Sequence, residues 1–339
     1  MTDRPSTRYG ILGFGLHAAK RLVPAFRGAS HARLHGLWRR DAAKAAEAAR
    51  DFDVPLVFET PEELCASPEI DAVFVASPDA LHLEHVLLAL RHHKPVLCEK
   101  PLAMSLGEVG QMLSAATAAG VVLGVAQNMR YNASLARMRR WIGEGRVGTP
   151  DTAHAQFSYE TARSPRTWIH DPALARGGPI GDVGIHCIDA LCFVLDQPAS
   201  SIRGVTTLAY PEHGAAPLET RAVLSLEFAS GALAAVTVSG QAQYRSLVEV
   251  TGSAGVVICE NAMTVDQPVH LVLREPAGVV ADELISNADA FSRMLDSFAL
   301  SLAGGAPYLA PGAEGLANQR VLDAAYESWR EGMRIALKP

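Results

Sequence analysis

The residue best set to act on a ligand is Lys100, in the run Val96-Leu97-Cys98-Glu99-Lys100-Pro101-Leu102-Ala103. Three apolar residues read as a buried strand, and the run then meets a carboxylate, an ammonium and a proline. Pro101 fixes its own φ and disfavours the α region for the residue before it, so Lys100 is expected to be held extended at a strand end. In an open parallel α/β sheet, ligands lie beyond the carboxyl ends of the strands. An ammonium there stabilises a developing alkoxide. Asp182, His186 and Asp189 form a second candidate set, spaced i, i+4, i+7 on one helix face behind a turn that contains Gly177, Gly178 and Gly181. Ile188, Leu191, Cys192 and Leu195 supply an apolar stripe to anchor that helix. A histidine near neutrality gives or takes a proton. The commoner fates of such residues are a solvated lysine in a turn and a satisfied core histidine. Two features favour chemistry here: the Asp one turn before His186, and a nucleotide-type motif upstream of Lys100.

That motif is Gly13-Phe14-Gly15-Leu16-His17-Ala18, a match to G-x-G-x-x-G/A, with a strand before it (Arg8 to Leu12) and a helical stretch after it (Ala18 to Phe26). The first glycine permits a tight turn, the second lets the backbone approach a pyrophosphate, and the small third residue lets helix and strand pack closely. Free N–H groups at the helix start are then offered to the phosphates. A second strand, Arg33 to Trp38, ends in Arg39-Arg40-Asp41. An NAD site usually has an acid at that strand end. Two arginines instead suit a 2′-phosphate, and a guanidinium also stacks on adenine. The expected cofactor is therefore NADP, with NAD possible; the plain alternative is a solvated turn before the helix Ala42 to Arg50. Asp71 to Ala76 is a buried strand that stops at Ser77-Pro78, where the ribose and nicotinamide would pass. His82 follows on the first turn of a helix, with capping and ligand contact equally open. Leu56 to Phe58 and Val121 to Val125 extend the alternation of strand and helix into a doubly wound parallel sheet.

Later in the chain the pattern turns to β-rich runs. Ala153 to Tyr159, Val205 to Tyr210, Arg221 to Phe228, Ala232 to Ser239, Leu247 to Thr251, Val256 to Glu260 and Val269 to Arg274 read as strands. They predict a mostly antiparallel sheet with the Asp182 helix on one face. Ala288 to Leu302 and Gly315 to Ala336 read as closing helices around a Pro307–Pro311 loop. A chain of 339 residues is thus expected to form two domains: a Rossmann domain over 1–127, and an α+β substrate-binding and oligomerisation domain over 128–339, its last helix free to pack back on the first. Seven strands with about one covering helix leave an apolar face, which predicts a homodimer or homotetramer through that sheet. A net charge of -6 and no long basic run argue against nucleic acid. The longest apolar stretch, Val121 to Ala126, is too short to span a bilayer, and the polar start Met1 to Arg8 lacks a signal-peptide pattern. Five scattered cysteines with no Cys-x-x-Cys pair suit a reducing cytoplasm and give no zinc site, so no metal is expected.

Glu99-Lys100-Pro101, the glycine motif and the Ser77-Pro78-Asp79…His82 segment together resemble the Gfo/Idh/MocA oxidoreductases. Gln127-Asn128-Met129-Arg130-Tyr131 is similar to the family segment that opens the second domain. Gly177 to Asp189 is similar to its glycine-rich turn and Asp-x-Gly-x-His-x-x-Asp helix. The resemblance implies an NAD(P)-dependent hydride transfer between nicotinamide and the secondary alcohol or ketone of a sugar, sugar derivative or cyclitol. It carries over Lys100 and His186 as contacts of the reacting oxygen, with Asp182 binding a neighbouring hydroxyl or steadying His186. It also implies Glu99, Lys100 and Asn128 beside the cofactor, joining Gly13, Phe14, Gly15, Leu16, Arg39, Arg40, Ser77, Pro78 and His82, and Arg130 and Trp168 at the substrate. Lys100 and His186 belong to different domains, so the site is expected in the interdomain cleft. The chain also departs from the family pattern: Ile169 stands where many relatives have an arginine after Trp168, Ala133 where a proline is common, and Arg176 and Pro179 interrupt the usual triple glycine. Two other readings stay open: a redox-assisted glycosidase that retains NAD, and a non-catalytic dinucleotide-binding regulator, which would be expected to lose Lys100 or His186.

Overall fold

The computed structural model describes residues 6–211 and 218–337. Six short apolar runs build the first sheet: β1 (Thr7–Leu12), β2 (Ala32–Trp38), β3 (Leu56–Val57), β4 (Ala72–Val75), β5 (Val96–Cys98) and β6 (Leu123–Val125). All pair in parallel, in the order β3-β2-β1-β4-β5-β6. Parallel strands need helical crossovers, and these cover both faces of the sheet, so β4 is buried at every position. The helix after the glycine motif differs from a plain α-helix. It opens with a π turn, Ala18–Leu22, and becomes α-helical only over Val23–Gly28. Pro24 lacks the N–H that would close the normal bond four residues back, which accounts for the change of register there. The loop before the last helix seals the β6 edge: Val125 donates its N–H to the Ala310 carbonyl at 2.9 Å, and the Tyr308 hydroxyl donates to the Val125 carbonyl at 2.8 Å.

The chain divides into two compact units, Met1–Gln127 with Phe291–Leu316, and Asn128–Ala290 with Ala317–Pro339. The helix Ala290–Leu302 therefore counts, but for its first residue, with the parallel sheet rather than with the second sheet, as a single cut after residue 127 has it.

The second sheet contains β7 (Pro150–Ser158), β8 (Ile202–Pro211), β9 (Glu219–Phe228), β10 (Leu233–Ser239), β11 (Arg245–Gly252), β12 (Val256–Glu260), β13 (Val269–Glu275), β14 (Gly278–Ile285) and β15 (Ile335–Ala336). Its order is β14-β13-β12-β11-β7-β10-β9-β8-β15. Among the described residues β7 and β10 pair in parallel, and every other pair of neighbours is antiparallel. Two strands went unread in the sequence. β14 is an edge strand whose acidic Asp282 and Glu283 interrupt its apolar run. β15 lies where a helix to Ala336 was expected. The helix spans Gly312–Glu331 and stops at Gly332, whose φ of 65° breaks it.

The helix that follows Asp182, Ile185–Val194, is buried at all ten positions rather than along one stripe. Asp189 consequently faces the interior. It accepts from Arg130 Nε at 3.0 Å and Nη2 at 2.7 Å, and from Asn318 Nδ2 at 2.9 Å. This corrects two expectations: Asp189 is not part of an exposed Asp/His face, and the Arg130 guanidinium is committed to a buried ion pair rather than offered to a substrate. The opposite face of the sheet keeps Leu208, Tyr210, Val223 and Leu233 exposed, with Leu208 directly across from Val223. Among the described residues no helix is long and apolar enough to cross a membrane.

Removing one partner of a buried pair strands a charge. Asp189→Asn is therefore expected to destabilise the protein by about 3–5 kcal/mol, read as a lower urea midpoint with an unchanged slope.

Candidate active site

The candidate residues form two sets, one in each unit. In the first, Gly13 has a φ of 85°, and a Cβ there would sit 2.6 Å from the Ser77 backbone, so β1 and β4 end in direct contact. Gly15 is different. A Cβ on it would meet nothing nearer than the Gly13 carbonyl at 3.8 Å, so the protein itself does not demand glycine at that position. A bare backbone that faces open space is what a pyrophosphate requires, and the residues fit one here. Phe14 departs from the expectation of cofactor contact. Its ring packs on Phe52, and its N–H and that of Gly13 both donate to the Trp38 carbonyl, at 3.0 and 3.1 Å. The usable backbone thus begins at Gly15, with Leu16 exposed beside it.

Past the end of β2, Arg39 is half-buried and Arg40 exposed. Asp41 Oδ1 accepts the Lys44 N–H at 3.1 Å and caps the following helix, so the one acid at this strand end has a local task. Ser77 lies at the end of β4, before Pro78. Its Oγ shares a hydrogen bond with His85 Nδ1 at 2.9 Å, and burial pushes the His85 imidazole down to about 4. His82 is fully buried, with Nε2 on the Ser77 carbonyl at 3.0 Å and Nδ1 on the Pro101 carbonyl at 2.9 Å. Each ring nitrogen lies at hydrogen-bond distance from a backbone carbonyl, and a neutral ring, with one N–H, donates to one of them at a time, so His82 links the end of β4 to the segment after β5.

Past β5, burial works to raise the Glu99 carboxyl, but His17 and Lys100 outweigh it and hold the group at about 2. Glu99 Oε1 lies 2.9 Å from His17 Nε2, and Oε2 accepts the Lys100 N–H at 3.2 Å. The Lys100–Pro101 peptide bond is cis.

In the second unit, Asp182 lies in a π turn, Ile180–Gly184, with its N–H on the Gly178 carbonyl at 3.0 Å. Its Oδ2 accepts from the Tyr159 hydroxyl and from Arg166 Nη2 at 3.2 Å, and the same Nη2 donates to Tyr159 Oη at 2.8 Å. Burial and the adjacent carboxylate push the Tyr159 phenol up, which keeps it a proton donor to Asp182. His186 is buried, its ring 6.2 Å from Phe157, which in turn meets Tyr244 edge-on at 6.1 Å. Trp168 is half-buried in the 3₁₀ turn Thr167–His170. Ile169 is buried, and the cation that pairs with Asp182 is Arg166. Asn128 is buried, its Nδ2 3.9 Å from Met129 Sδ.

Sequence reasoning missed His17, His85, Phe157, Tyr159 and Arg166. Phe157 and Tyr159 were legible in principle, because period-two alternation puts them on one face at the end of a recognised strand. Arg166 lies outside any periodic element, and nothing in its neighbourhood marked it.

Residues 7–127 match the oxidoreductase family with an NAD-binding Rossmann fold (GFO_IDH_MocA), and residues 135–258 match the GFO/IDH/MocA C-terminal domain. A 1,5-anhydro-D-fructose reductase of Ensifer adhaerens is 30% identical over 311 residues, covering 91% of this chain and 92% of that protein. The chain belongs to the Gfo/Idh/MocA family. A D-xylose 1-dehydrogenase [NADP(+)] of Haloarcula marismortui is 27% identical, covering 96% of this chain and 92% of that one. The solved aldose-aldose oxidoreductase of Caulobacter crescentus, complexed with glycerol, has a TM-score of 0.89 at 25% identity, covering 98% and 100% of the two chains. As a Gfo/Idh/MocA protein the chain is an NAD(P)-dependent oxidoreductase, with the nucleotide-binding Rossmann fold in its first unit.

Arg39 and Arg40 are expected to favour NADP over NAD. A charge-assisted fork to a 2′-phosphate contributes about 1.5–3 kcal/mol, roughly one to two decades in affinity. Arg39→Asp is expected to erase or reverse that preference in dissociation constants measured for both cofactors.

Proposed function

We propose that the protein oxidises or reduces a secondary alcohol or ketone of a sugar, sugar derivative or cyclitol with NADP, or NAD, and that Lys100 and His186 act on the reacting oxygen. The observation that carries this is Lys100 itself. It follows β5 at the carboxyl edge of the parallel sheet, the edge at which Gly15 offers open backbone. The sugar reductase and sugar dehydrogenase among the relatives support the substrate class.

The bound nicotinamide supplies the hydride exchange. Lys100 stabilises negative charge on the carbinol oxygen, and His186 gives or takes its proton. Asp182, held by Tyr159 and Arg166, orients the substrate through a neighbouring hydroxyl. Phe157 lies against the histidine and Tyr244 meets Phe157 edge-on, an aromatic surface suited to the C–H face of a sugar ring. We further propose a homo-oligomer, dimer or tetramer, that buries the exposed apolar residues of β8, β9 and β10. A reducing compartment such as the cytoplasm suits the five cysteines, all free and buried.

A panel of sugars and polyols read by nicotinamide absorbance identifies the substrate. On it, Lys100→Met is expected to lower kcat while leaving NADP affinity nearly intact, and His186→Ala to cost on the order of 10²–10⁴ in rate. The double variant is expected to lose less than the product of the two, because both act on one oxygen. Full turnover by Lys100→Met would show that the lysine is structural. Light scattering of a dilute sample is expected to give at least twice the chain mass; a stable monomer would reject the sheet-face interface.

A further inference from the structure

The turn that carries Asp182 is held by a carboxylate from a distant strand. Glu219, at the start of β9, is buried. Its Oε2 accepts the Gly178 N–H at 3.1 Å, and its Oε1 accepts the Ile180 N–H at 2.8 Å and the Tyr326 hydroxyl at 3.1 Å. Those two N–H groups lead into the π turn, and the Gly178 carbonyl takes the Asp182 N–H. There is no room to slip: a Cβ on Gly178 would lie 1.8 Å from the Glu219 carbonyl oxygen, and one on Gly177 would lie 1.8 Å from the Tyr326 hydroxyl. Tyr326 is covered in turn by Arg176, whose guanidinium lies 4.5 Å over the ring and pairs with Asp323 at 2.7 Å. Arg176, one of the two residues that break the triple glycine, thus fastens the partner of Glu219. Burial pushes the Glu219 carboxyl up, while the Ile180 and Gly178 N–H groups and the Tyr326 hydroxyl act in the opposite direction.

We propose that Glu219 is a positioning residue for Asp182 and His186, acting through the N–H groups of Gly178 and Ile180, with Tyr326 and Arg176 holding the carboxylate in place. This rests on the assignment of His186 to proton transfer. A glutamine keeps one acceptor but turns an NH₂ against a backbone N–H, so one donor loses its partner and the turn must shift. Small shifts of a group that acts on a reacting atom are expensive in rate.

The test compares Glu219→Gln and Tyr326→Phe with the unmutated enzyme on the best substrate of the panel, with turnover normalised to NADPH-titrated sites. Glu219→Gln is expected to lower kcat per titrated site by about tenfold or more, and Tyr326→Phe by about threefold to tenfold. The NADPH dissociation constant should stay within about twofold, since the Rossmann unit sets it. A merely structural Glu219 would lower the melting temperature and leave turnover per titrated site unchanged. Turnover by Glu219→Gln within about twofold of the unmutated value overturns the proposal, and so does a comparable loss of NADPH affinity. If that variant does not fold, Tyr326→Phe decides by the same limits. His186→Ala is run alongside. If it keeps full turnover, the reading of the reaction fails on its own, whatever Glu219 does.

Discussion

The nucleotide-binding unit depends on one close approach. Gly13 and Ser77 end neighbouring strands so near each other that a single added carbon would collide with backbone. Everything around Ser77 serves that junction. Its hydroxyl is tied to His85 and its carbonyl to His82, and His82 reaches on to the Pro101 carbonyl, next to Lys100. The approach of Gly13 to Ser77 is steric, and buried polar contacts through His82 then join the Ser77 segment to the one that carries Pro101. Buried polar groups that are fully paired rigidify a site; left unpaired, they would open it.

The second unit meets the same demand with charge. Arg130 and Asp189 neutralise each other inside it, and Arg166, Tyr159 and Asp182 form a partly exposed counterpart at the start of the same turn and helix. The two pairs sit on opposite sides of His186 in the sequence, one turn of helix away in each direction.

Much of this was legible in the sequence where local rules act alone. The parallel sheet announced itself through short apolar runs and a glycine turn, and Lys100 through the proline behind it. The second sheet was legible in its central strands but not at its edges, because β14 is diluted by Asp282 and Glu283 and β15 is only two residues long. The site residues divide in the same way. Spacing singled out Asp182 and His186 as candidates, since helical periodicity depends only on neighbours in the chain. Spacing also assigned Asp189 to their face, because it carries no information on which side of a helix is covered, whereas Arg130 was placed at the substrate by the family resemblance and not by spacing. The helix is buried all round, and its polar side chains are paired inward. Tyr159, Arg166 and Glu219 reach the same turn from three separate segments, a convergence created only by tertiary structure.

The order of the second sheet also bears on how it is made. β8, β9 and β10 form one run of consecutive antiparallel neighbours, and β11, β12, β13 and β14 form another. Each run joins strands adjacent in the chain, so each closes only short loops. β7 precedes both runs in the chain and lies between them in space, with Leu233 paired to Thr152 on one side and Val248 paired to Ala155 on the other. The sheet is therefore two meanders welded along a strand synthesised before either. Tyr159 and Arg166 follow that strand directly and Asp182 is their partner. Glu219, at the start of β9, holds the turn of that partner, so this corner of the unit draws on the shared strand and on one meander together.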